Sequence, residues 1–396
     1  MKLNPNSTLL QRKGIANRMS RLYTSGRNNI TPSLLGSVGV GLMCLILCGC
    51  ITEYEATGID EDAGILVVEG VITDDETTIT LSRSSNLTDD YLTSVSYIND
   101  AKVSVECDDG TQFDGYPYSE GVGYHVIWRY LIKTGKLNPE RQYSLKIEFE
   151  EHEYCSDYAH PIETPEIDSI FWMKRGPRQP VMIYVSTHSP ENKVLYYRWS
   201  YREDWEIHST YNMLPDYPHY CWDKANSAGL LLGSAEKTVF GKLSDIIVEI
   251  LPYARKLSVL YRINVKQNAI SKRAYDYFAN IRKNDQQSGS IFAPTPSELR
   301  GNITCTTDPE RPVIGYVDVS TTTQKNLHIY RSNGAYEQPL SNECELVDGS
   351  LLLDWNDGIL PKDYVLYDHY GNFYAHISCV DCTYHGTEQK PDDWPN

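Results

Sequence analysis

Two cysteines near the C-terminus are the residues whose spacing most directly suggests chemistry. Cys379 and Cys382 are separated by two residues and flanked by His376 and His385. A redox pair needs its first cysteine at a helix N-terminus, which lowers the thiol pKa, whereas this pair follows a β-type sequence. Zinc could use the two histidines as further ligands, but we favour structural disulfides. Besides each other, the candidate disulfide partners are Cys344, Cys305 and Cys221.

An aromatic loop supplies the candidate ligand contacts. Tyr217, His219 and Trp222 lie in a loop segment that contains proline. Side chains on loops are often used for binding. The alternative is a loop that simply packs against its own domain, and we weigh that alternative as the more frequent case. The three residues are therefore kept as a hypothesis about ligand contact.

The sequence lacks the short motifs of several enzyme classes. It contains no His-Glu-x-x-His, no Gly-x-Ser-x-Gly and no glycine-rich phosphate loop. A pair of carboxylates could act as the acid and base of a glycosidase, but the sequence does not give their separation. We therefore expect no catalytic residues, no metal and no cofactor.

Cys50 has the sequence context of a lipid acceptor. Leu47 lies at position −3 and Gly49 at position −1, as in the lipobox, where the cysteine thiol takes diacylglycerol before the chain is cleaved. Small flanking residues let the peptidase reach the backbone. The alternatives are a plain secretory signal with a chance cysteine, or an uncleaved anchor. We predict lipidation at Cys50.

The leader before this cysteine has the composition of an export signal. Residues 1–49 contain six basic residues and no acidic ones, and they end in an apolar stretch at 34–49. That stretch is shorter than the roughly 20 residues that span a bilayer. We predict a signal peptide over 1–49, starting at Met1 or Met19, and a flexible tether over 50–63. The membrane would then be a partner through the lipid, in the outer membrane, with the protein on the cell surface or on the periplasmic face.

The net negative charge of the chain disfavours two classes of binding partner. The chain has 36 basic and 53 acidic residues, and loss of the leader would change its net charge from −17 to −23. Phosphates would repel such a protein, so we expect no nucleic-acid partner. Repulsion also disfavours lying flat on anionic lipid.

The elements that position these residues read as short strands. Between residues 64 and 160, runs such as 102–107 and 145–149 alternate apolar and polar residues and end in Asp/Gly turns. This pattern predicts an N-terminal β-sandwich, like an immunoglobulin or transthyretin domain, over 64–160. Cys107 and Cys155 could form a disulfide in it, or Cys107 could be a buried free thiol.

A second, larger β-rich domain is predicted over 161–396. A proline-containing connector precedes it, and a stripe of large side chains on one strand face follows. That stripe could bind sugar rings, but at strand spacing it is more often core. The exception to the β pattern is a helix near 271–283, where apolar residues recur every three to four positions. The stripe consists of Leu195, Tyr197, Trp199, Tyr201 and Trp205.

Several short motifs follow one another in a fixed order: Val67–Val71, Ala101–Val103, Tyr220–Trp222, Ala274–Tyr277, Gly289–Pro294, Gly301–Ile303, Val313–Tyr316, Cys379–Cys382 and Lys390–Trp394. Together they resemble an uncharacterised family of Bacteroidota lipoproteins (DUF4249-like). The resemblance covers nearly all of residues 50–396. It implies surface or outer-membrane lipoproteins that are often encoded beside TonB-dependent receptors of the SusC type, and it implies no catalytic residues.

The sequence therefore leads to a ranked set of functions. The first is a non-enzymatic accessory of a TonB-dependent uptake system, which captures a ligand or partners the receptor. The second is a structural or adhesive envelope protein, whose domains present a surface without a concave aromatic pocket. The third is a cryptic hydrolase, which needs convergent carboxylates or a Ser/His pair in a cleft.

Overall fold

The computed structural model of the chain is mainly β, as the alternating sequence predicts. It describes residues 64–84, 95–121, 126–212, 214–238, 241–287, 300–338, 344–355, 361–367 and 372–395. The predicted signal peptide, Cys50 and the tether lie outside the described residues, so they stay predictions from the sequence. No helix in the described ranges is long and apolar enough to cross a membrane.

The first sheet, as we call it, has ten strands. Its order is β16-β8-β7-β4-β5-β6-β2-β1-β17, with β3 beside β2, and among its described strands β1 and β17 are the pair that runs in parallel. The strands are β1 (Leu66–Val71), β2 (Asp75–Arg83), β3 (Ser96–Tyr97), β4 (Lys102–Cys107), β5 (Gln112–Glu120), β6 (Ile127–Gly135), β7 (Tyr143–Phe149), β8 (His152–Ser156), β16 (Ile303–Cys305) and β17 (Val313–Gly315).

The first sheet turns a corner at β5. Residues 112–114 of this strand pair with β4, and residues 115–120 pair with β6. A Cβ atom on Gly115 would lie 2.8 Å from the carbonyl oxygen of Val103, so glycine permits the close approach there. The sheet consequently folds over a single core that includes the fully buried Ile79 and Ile147. The strands predicted between residues 64 and 160 belong to this folded sheet.

The chain returns to the first sheet late. β16 and β17 lie beyond residue 161, in the segment assigned to the second domain, and they form the two ends of the first sheet. Cys305, the last residue of β16, is buried there. The segment 161–396 is therefore not confined to one group of strands, and the described residues from 64 onward belong to one compact unit.

Two further sheets share a second core. A three-stranded sheet has the order β14-β10-β9, and a five-stranded sheet has the order β12-β11-β15-β18 with β13 beside β11. Buried residues such as Ile183 from one sheet and Ile263 from the other pack together between them. The strands are β9 (Ile167–Lys174), β10 (Val181–His188), β11 (Tyr196–His208), β12 (Tyr220–Asn226), β13 (Leu231–Ser234), β14 (Lys242–Ile250), β15 (Leu260–Ala269) and β18 (Thr322–Tyr330).

The inserted helix forms where the periodicity predicts it. Helix α1 spans Lys272–Gln287, so it ends four residues later than expected. The Ser271 hydroxyl accepts a hydrogen bond from the backbone N–H of Ala274 at 3.1 Å, which caps the first turn. Its apolar face, with Ala274, Tyr277 and Phe278 buried, packs on β11 and β13.

The C-terminal region, residues 344–395, has short elements. A three-stranded sheet has the order β19-β21-β20, with strands of two to four residues. Two short helices accompany it. The elements are β19 (Val347–Asp348), α2 (Gly349–Trp355), β20 (Tyr364–Leu366), β21 (Phe373–His376) and α3 (Ile377–Val380).

Candidate functional site

A surface pocket lies where the end of β11 meets β12 and two segments distant in sequence. Its volume is about 320 Å³. An aromatic side chain, two aliphatic ones and several charged or polar groups form its walls. The lining residues are Trp205, Ile207, Asp223, Ala254, Arg255, Lys256 and His385.

The alternation of side chains along β11 and β12 explains why three of these residues lie on the same face of the sheet. Trp205 and Ile207 are two positions apart on β11, so their side chains point to the same face of the sheet. Asp223 lies opposite Trp205 in the antiparallel register of β12 and β11. Cross-strand partners of this kind project on the same side, which brings the carboxylate beside the indole.

Lys256 is held in place by a buried carboxylate. Its Nζ atom lies 2.8 and 3.0 Å from the two carboxylate oxygens of Glu203, a residue only 4% exposed. The Tyr261 hydroxyl donates a third hydrogen bond to Glu203, at 2.5 Å. Burial and the negative charge of Glu203 raise the pKa of Tyr261, so this hydroxyl keeps its proton and remains a donor. Burying Glu203 is tolerable because its charge is paired and hydrogen-bonded.

The same lysine contacts the aromatic floor of the pocket. Its Nζ atom lies 5.6 Å from the centroid of the Trp205 ring, within the range of a cation–π interaction. The cation is thus fixed by Glu203 on one side and by an aromatic face on the other. The pocket presents a preorganised ammonium group, paired with Glu203, beside an apolar surface.

A disulfide fixes the segment that carries His385. Cys382 is joined to Cys221 of β12, with a Cα–Cα distance of 5.6 Å. The backbone N–H of His385 donates to the Cys382 carbonyl at 2.9 Å, and its Nε2 donates to the Ser378 carbonyl at 3.1 Å. Because a carbonyl oxygen only accepts, Nε2 carries a hydrogen there. The covalent bond brings the imidazole to the rim of the pocket.

The pocket has the composition of a binding site. Aromatic and aliphatic walls with a few fixed polar groups are typical of sites that take small molecules or short peptide segments. Trp205 and Ile207 offer apolar surface, while Lys256 and Asp223 offer opposite charges. A ligand with an apolar body and both charged groups, such as a peptide, complements such a set.

The predicted ligand contacts lie elsewhere on the same hairpin. His219 packs against His208, with ring centroids 5.3 Å apart, and its Nδ1 lies 2.6 Å from the Ser209 hydroxyl. Trp222 projects from the face of β12 opposite to Asp223. Tyr217 is half-buried, in the turn before β12. None of the three is in the pocket lining, and their role in ligand contact stays a prediction.

Ser209 and His219 have the residue types of a hydrolase pair. The Ser209 hydroxyl, however, donates to the Tyr211 carbonyl at 2.9 Å, so it accepts from His219 Nδ1. A base would need the reverse polarity to activate the serine. Ser209 is also 7% exposed, which restricts access of a substrate. The bond therefore positions the loop between β11 and β12.

The cysteines form two disulfides that cross between segments. Cys379 is joined to Cys344 and Cys382 to Cys221, so the two cysteines of the Cys-x-x-Cys motif have different partners. Their thiolates are consequently not a redox pair or zinc ligands. No group of three His, Cys, Asp or Glu residues suited to a metal ion occurs in the part of the chain that is described.

The three remaining cysteines of the described residues are free thiols. Cys107 and Cys305 are buried, and Cys155 is half-buried. Of the two alternatives considered for Cys107, the structure has the buried free thiol and not the bond to Cys155. All three lie in the first sheet.

Only some residues of the pocket lining belong to a pattern that is recognisable in the sequence. The stripe on β11 was assigned to the core, which is right for Tyr197 and Trp199, at 0% and 2% exposure. The same stripe emerges at Trp205 to form the pocket floor. Asp223 and Lys256 had no local signal, because their neighbourhood is created by strand pairing and by a distant turn.

Comparisons with known proteins place the chain in a family. The family described as "Domain of unknown function (DUF4249)" matches residues 51–326. No curated protein matches the chain. The matched range includes Trp205, Asp223 and Lys256, while the C-terminal segment with His385 follows it.

Proposed function

This chain belongs to the DUF4249 family, whose description gives no function, and we propose that it is a non-enzymatic surface lipoprotein serving nutrient uptake. In this proposal the protein captures a ligand in the Trp205 pocket and delivers it to a TonB-dependent receptor of the SusC type. The pocket is the observation that carries the proposal.

The leader supports the location. A basic segment, an apolar stretch and the Leu47-Cys48-Gly49-Cys50 sequence favour export and lipidation at Cys50. Buried lipid methylenes contribute about 0.8 kcal/mol each to membrane attachment. We propose anchoring in the outer membrane of a Bacteroidota cell, on the cell surface rather than the periplasmic face.

The pocket supports capture. Its cation is positioned before any ligand arrives, because Lys256 is already bonded to Glu203 and packed on Trp205. Preorganisation of this kind lowers the entropic cost of binding. The ligand class we propose is a short peptide, whose apolar side chains would pack on Trp205 and whose termini would face Lys256 and Asp223.

Binding can be measured with short apolar peptides. Tryptophan fluorescence of the soluble chain, from residue 51, is titrated with tetra-leucine peptides and, separately, with maltotetraose. We expect saturable quenching by the peptide and about tenfold weaker binding by W205A, since aromatic anchors dominate such pockets. Y116A is the control, because Tyr116 is 69% exposed on the first sheet and is not a residue of the pocket lining.

Two results would contradict capture of a peptide. Equal peptide affinity in the wild type and W205A would remove the pocket from the binding event. Tight binding of maltotetraose alone would assign the pocket to sugars. Circular dichroism of W205A checks that the variant is folded, and W205F, which keeps an aromatic ring, replaces it if it is not.

The receptor partnership has its own test. The lipidated protein is affinity-purified from detergent-solubilised outer membranes of its own cell, beside the Cys50→Ala variant. We expect a TonB-dependent receptor to co-purify with the lipidated protein in stoichiometric amounts. Absence of any such receptor, with the bait intact and membrane-bound, would leave the partnership without support.

The Ser/His form of the hydrolase alternative would have to use the Ser209–His219 contact, although Ser209 donates to the Tyr211 carbonyl and is 7% exposed. It predicts ester or peptide hydrolysis that S209A abolishes. An adhesive role is favoured less, because the pocket gives the surface a concave aromatic feature. If S209A and the wild type show the same background rate on p-nitrophenyl acetate, the Ser/His form of the hydrolase alternative is excluded.

A further inference from the structure

The last residues of the chain place one tryptophan on the outside of the five-stranded sheet. Thr387 pairs with Trp222 at the edge of β12, residues 387–390 are exposed, and the chain then brings Trp394 to the sheet, where it is 6% exposed. Trp394 belongs to none of the three apolar clusters that the described residues form. We call residues 387–395 the C-terminal strap.

Two side chains of the sheet hold the Trp394 ring. Its indole N–H donates to Glu206 Oε2 at 3.0 Å, and the Arg262 Cζ atom lies 5.1 Å from the ring centroid, within the range of a cation–π interaction. The Arg262 Nη1 atom also donates to the carbonyl oxygens of Asp392 and Asp393, at 3.4 and 3.2 Å. These contacts recognise an indole together with the peptide main chain before it.

The two side chains are themselves held by the sheet and not by the strap. Arg262 Nη2 donates to the carboxylate of Asp204, which is 2% exposed, at 3.0 Å. His208 Nε2 donates to Glu206 Oε1 at 2.6 Å, the carboxylate oxygen that Trp394 does not use. Because both bonds persist when Trp394 leaves, the site is preorganised for a ligand.

An uncovered aromatic surface continues from this site. Tyr220 is 56% exposed, and its ring packs edge-on against His208, with centroids 4.7 Å apart. In the antiparallel register Tyr220 lies opposite His208, and the next pair on the same face is Trp222 with Glu206. The strap therefore leaves part of the neighbouring surface exposed, and a longer occupant can contact it.

We propose that Glu206 and Arg262 form a binding site for a tryptophan-bearing peptide segment of a partner protein, and that the C-terminal strap closes this site until that segment displaces it. The strap competes at high effective concentration, because it belongs to the same chain. The strap of a second copy offers the same contacts without that advantage, so it does not displace the first. A partner segment prevails when it adds contacts, such as those with Tyr220.

This site is separate from the Trp205 pocket. Glu206 is at an even position of β11 and Trp205 at an odd one, so their side chains project from opposite faces of the sheet. His385, on the pocket rim, is bonded to Cys382 and Ser378, which precede the strap. The inference therefore goes beyond the proposed capture function and can fail or succeed independently of it.

Fluorescence anisotropy of a labelled peptide with the sequence of residues 388–396 tests the site. The soluble chain from residue 51 is compared as the wild type and as W394A, which lacks the anchor of the strap. We expect saturable binding by W394A and at least about tenfold weaker apparent binding by the wild type, because its own strap competes. A peptide with alanine in place of the tryptophan should not bind.

Two substitutions in the W394A background test the walls of the site. E206Q replaces a charged acceptor by a neutral one and should weaken peptide binding about threefold. R262K should weaken it about tenfold, since lysine can still pair with Asp204 but lacks the planar group that stacks on the ring. K266Q is the matched control: it removes a positive charge from an exposed residue of β15 and should leave peptide binding unchanged.

Further controls separate this site from the pocket. W205A combined with W394A should bind the strap peptide normally. W394A alone should bind tetra-leucine like the wild type. Loss of strap-peptide binding therefore says nothing against capture in the pocket, and loss of tetra-leucine binding says nothing against the strap.

Hydrogen exchange of indole N–H groups in the wild type tests release of the strap without any substitution. We expect Trp394 to exchange by local detachment, at a rate nearly independent of low urea concentrations. Trp199 is the internal reference, because it is 2% exposed and its indole donates to Gln267 at 2.8 Å. Its exchange should be slower and should follow global unfolding. This measurement decides the question if W394A does not fold.

Four outcomes would overturn the inference. The first is the absence of peptide binding by folded W394A. The second is peptide affinity that neither E206Q nor R262K changes, which would place the binding elsewhere. The third is equal indole exchange at Trp394 and Trp199, which would make the strap part of the cooperative core. The fourth is a wild-type dimer, seen by light scattering and abolished by W394A, which would assign the site to strap exchange between copies and not to a partner.

Discussion

The first sheet and the C-terminal region are stabilised by different interactions. The first sheet has strands of up to nine residues around a continuous apolar core, and its three cysteines are free thiols. The C-terminal region has strands of two to four residues and is joined to the rest of the chain and to itself by disulfides. Where apolar burial is extensive, no covalent bond is needed; where it is small, cross-links replace it.

The end of the C-terminal region is attached by one large side chain. Trp394 is 6% exposed, and the Arg262 guanidinium lies 5.1 Å from its ring centroid. Its indole N–H donates to Glu206 at 3.0 Å. A single aromatic anchor thus complements the disulfides in holding this segment on the face of β11 and β15.

Removal of the disulfide beside the pocket has the largest expected effect. The C221A/C382A variant loses a cross-link that closes a long loop, and such losses cost about 2–5 kcal/mol of unfolding free energy. We expect the C-terminal region to become sensitive to protease and peptide binding at Trp205 to weaken, because His385 is no longer held. Limited proteolysis with mass spectrometry identifies the cleaved segment.

The free thiols report on the first sheet in the same sample. Cys107 and Cys305 should stay protected from pulse alkylation in C221A/C382A under native conditions, because their core contains no disulfide. C107A is the matched control and should leave the C-terminal region resistant to protease. Simultaneous exposure of Cys107 and the C-terminal region would show that the two regions do not differ in this way.

A cavity in the first sheet should have a smaller, complementary effect. Ile147 is 0% exposed on β7, and I147A should lower the unfolding free energy by about 2–4 kcal/mol. Pulse alkylation of Cys107 and Cys305 should then accelerate in low urea, while the disulfide-bonded segment keeps its protease resistance. If thiol alkylation and protease sensitivity both increase to the same extent in I147A, the first sheet and the C-terminal region are not stabilised separately.

The smallest expected effect concerns the histidine of the β11–β12 loop. Burial and the neighbouring His208 lower the pKa of His219 from its ordinary value of 6.5. The folded state therefore favours the neutral ring: its contribution to stability is present above pH 6.5 and is lost as the pH falls through the lowered pKa. H219Q should show a smaller loss of unfolding free energy between pH 7.5 and 5.0 than the wild type.

Urea unfolding at the two pH values measures this difference. I147A, in the first sheet, should keep the pH dependence of the wild type although its overall stability is lower. An unchanged pH dependence in H219Q would mean that His219 does not contribute to it.

Much of the local structure could be predicted because its signals are local. Alternation at residues 102–107 gave β4, and the three-to-four spacing of Ala274, Tyr277 and Phe278 gave helix α1. The helix ended later than predicted, at Gln287, because polar residues extend a helix without continuing its apolar face. The core assignment of Tyr197 and Trp199 followed from the same kind of pattern.

The candidate sites could be predicted only in part, because their members come from distant segments. Trp205 belonged to a recognised stripe, but Lys256 gains its place from a buried bond to Glu203, 53 residues away. Trp394 meets Glu206 and Arg262 only because the C-terminal strap folds back on the sheet. No spacing in the sequence encodes either contact.

The sequence by itself determined the mainly β character, the inserted helix, and the composition of the leader that precedes Cys50. Tertiary structure alone decided which cysteines pair, how β16 and β17 return to the first sheet, and which side chains share a pocket. The physical reason is that strand and helix periods are properties of neighbouring residues, whereas Cys221 meets Cys382 across 161 residues only after the sheets have packed.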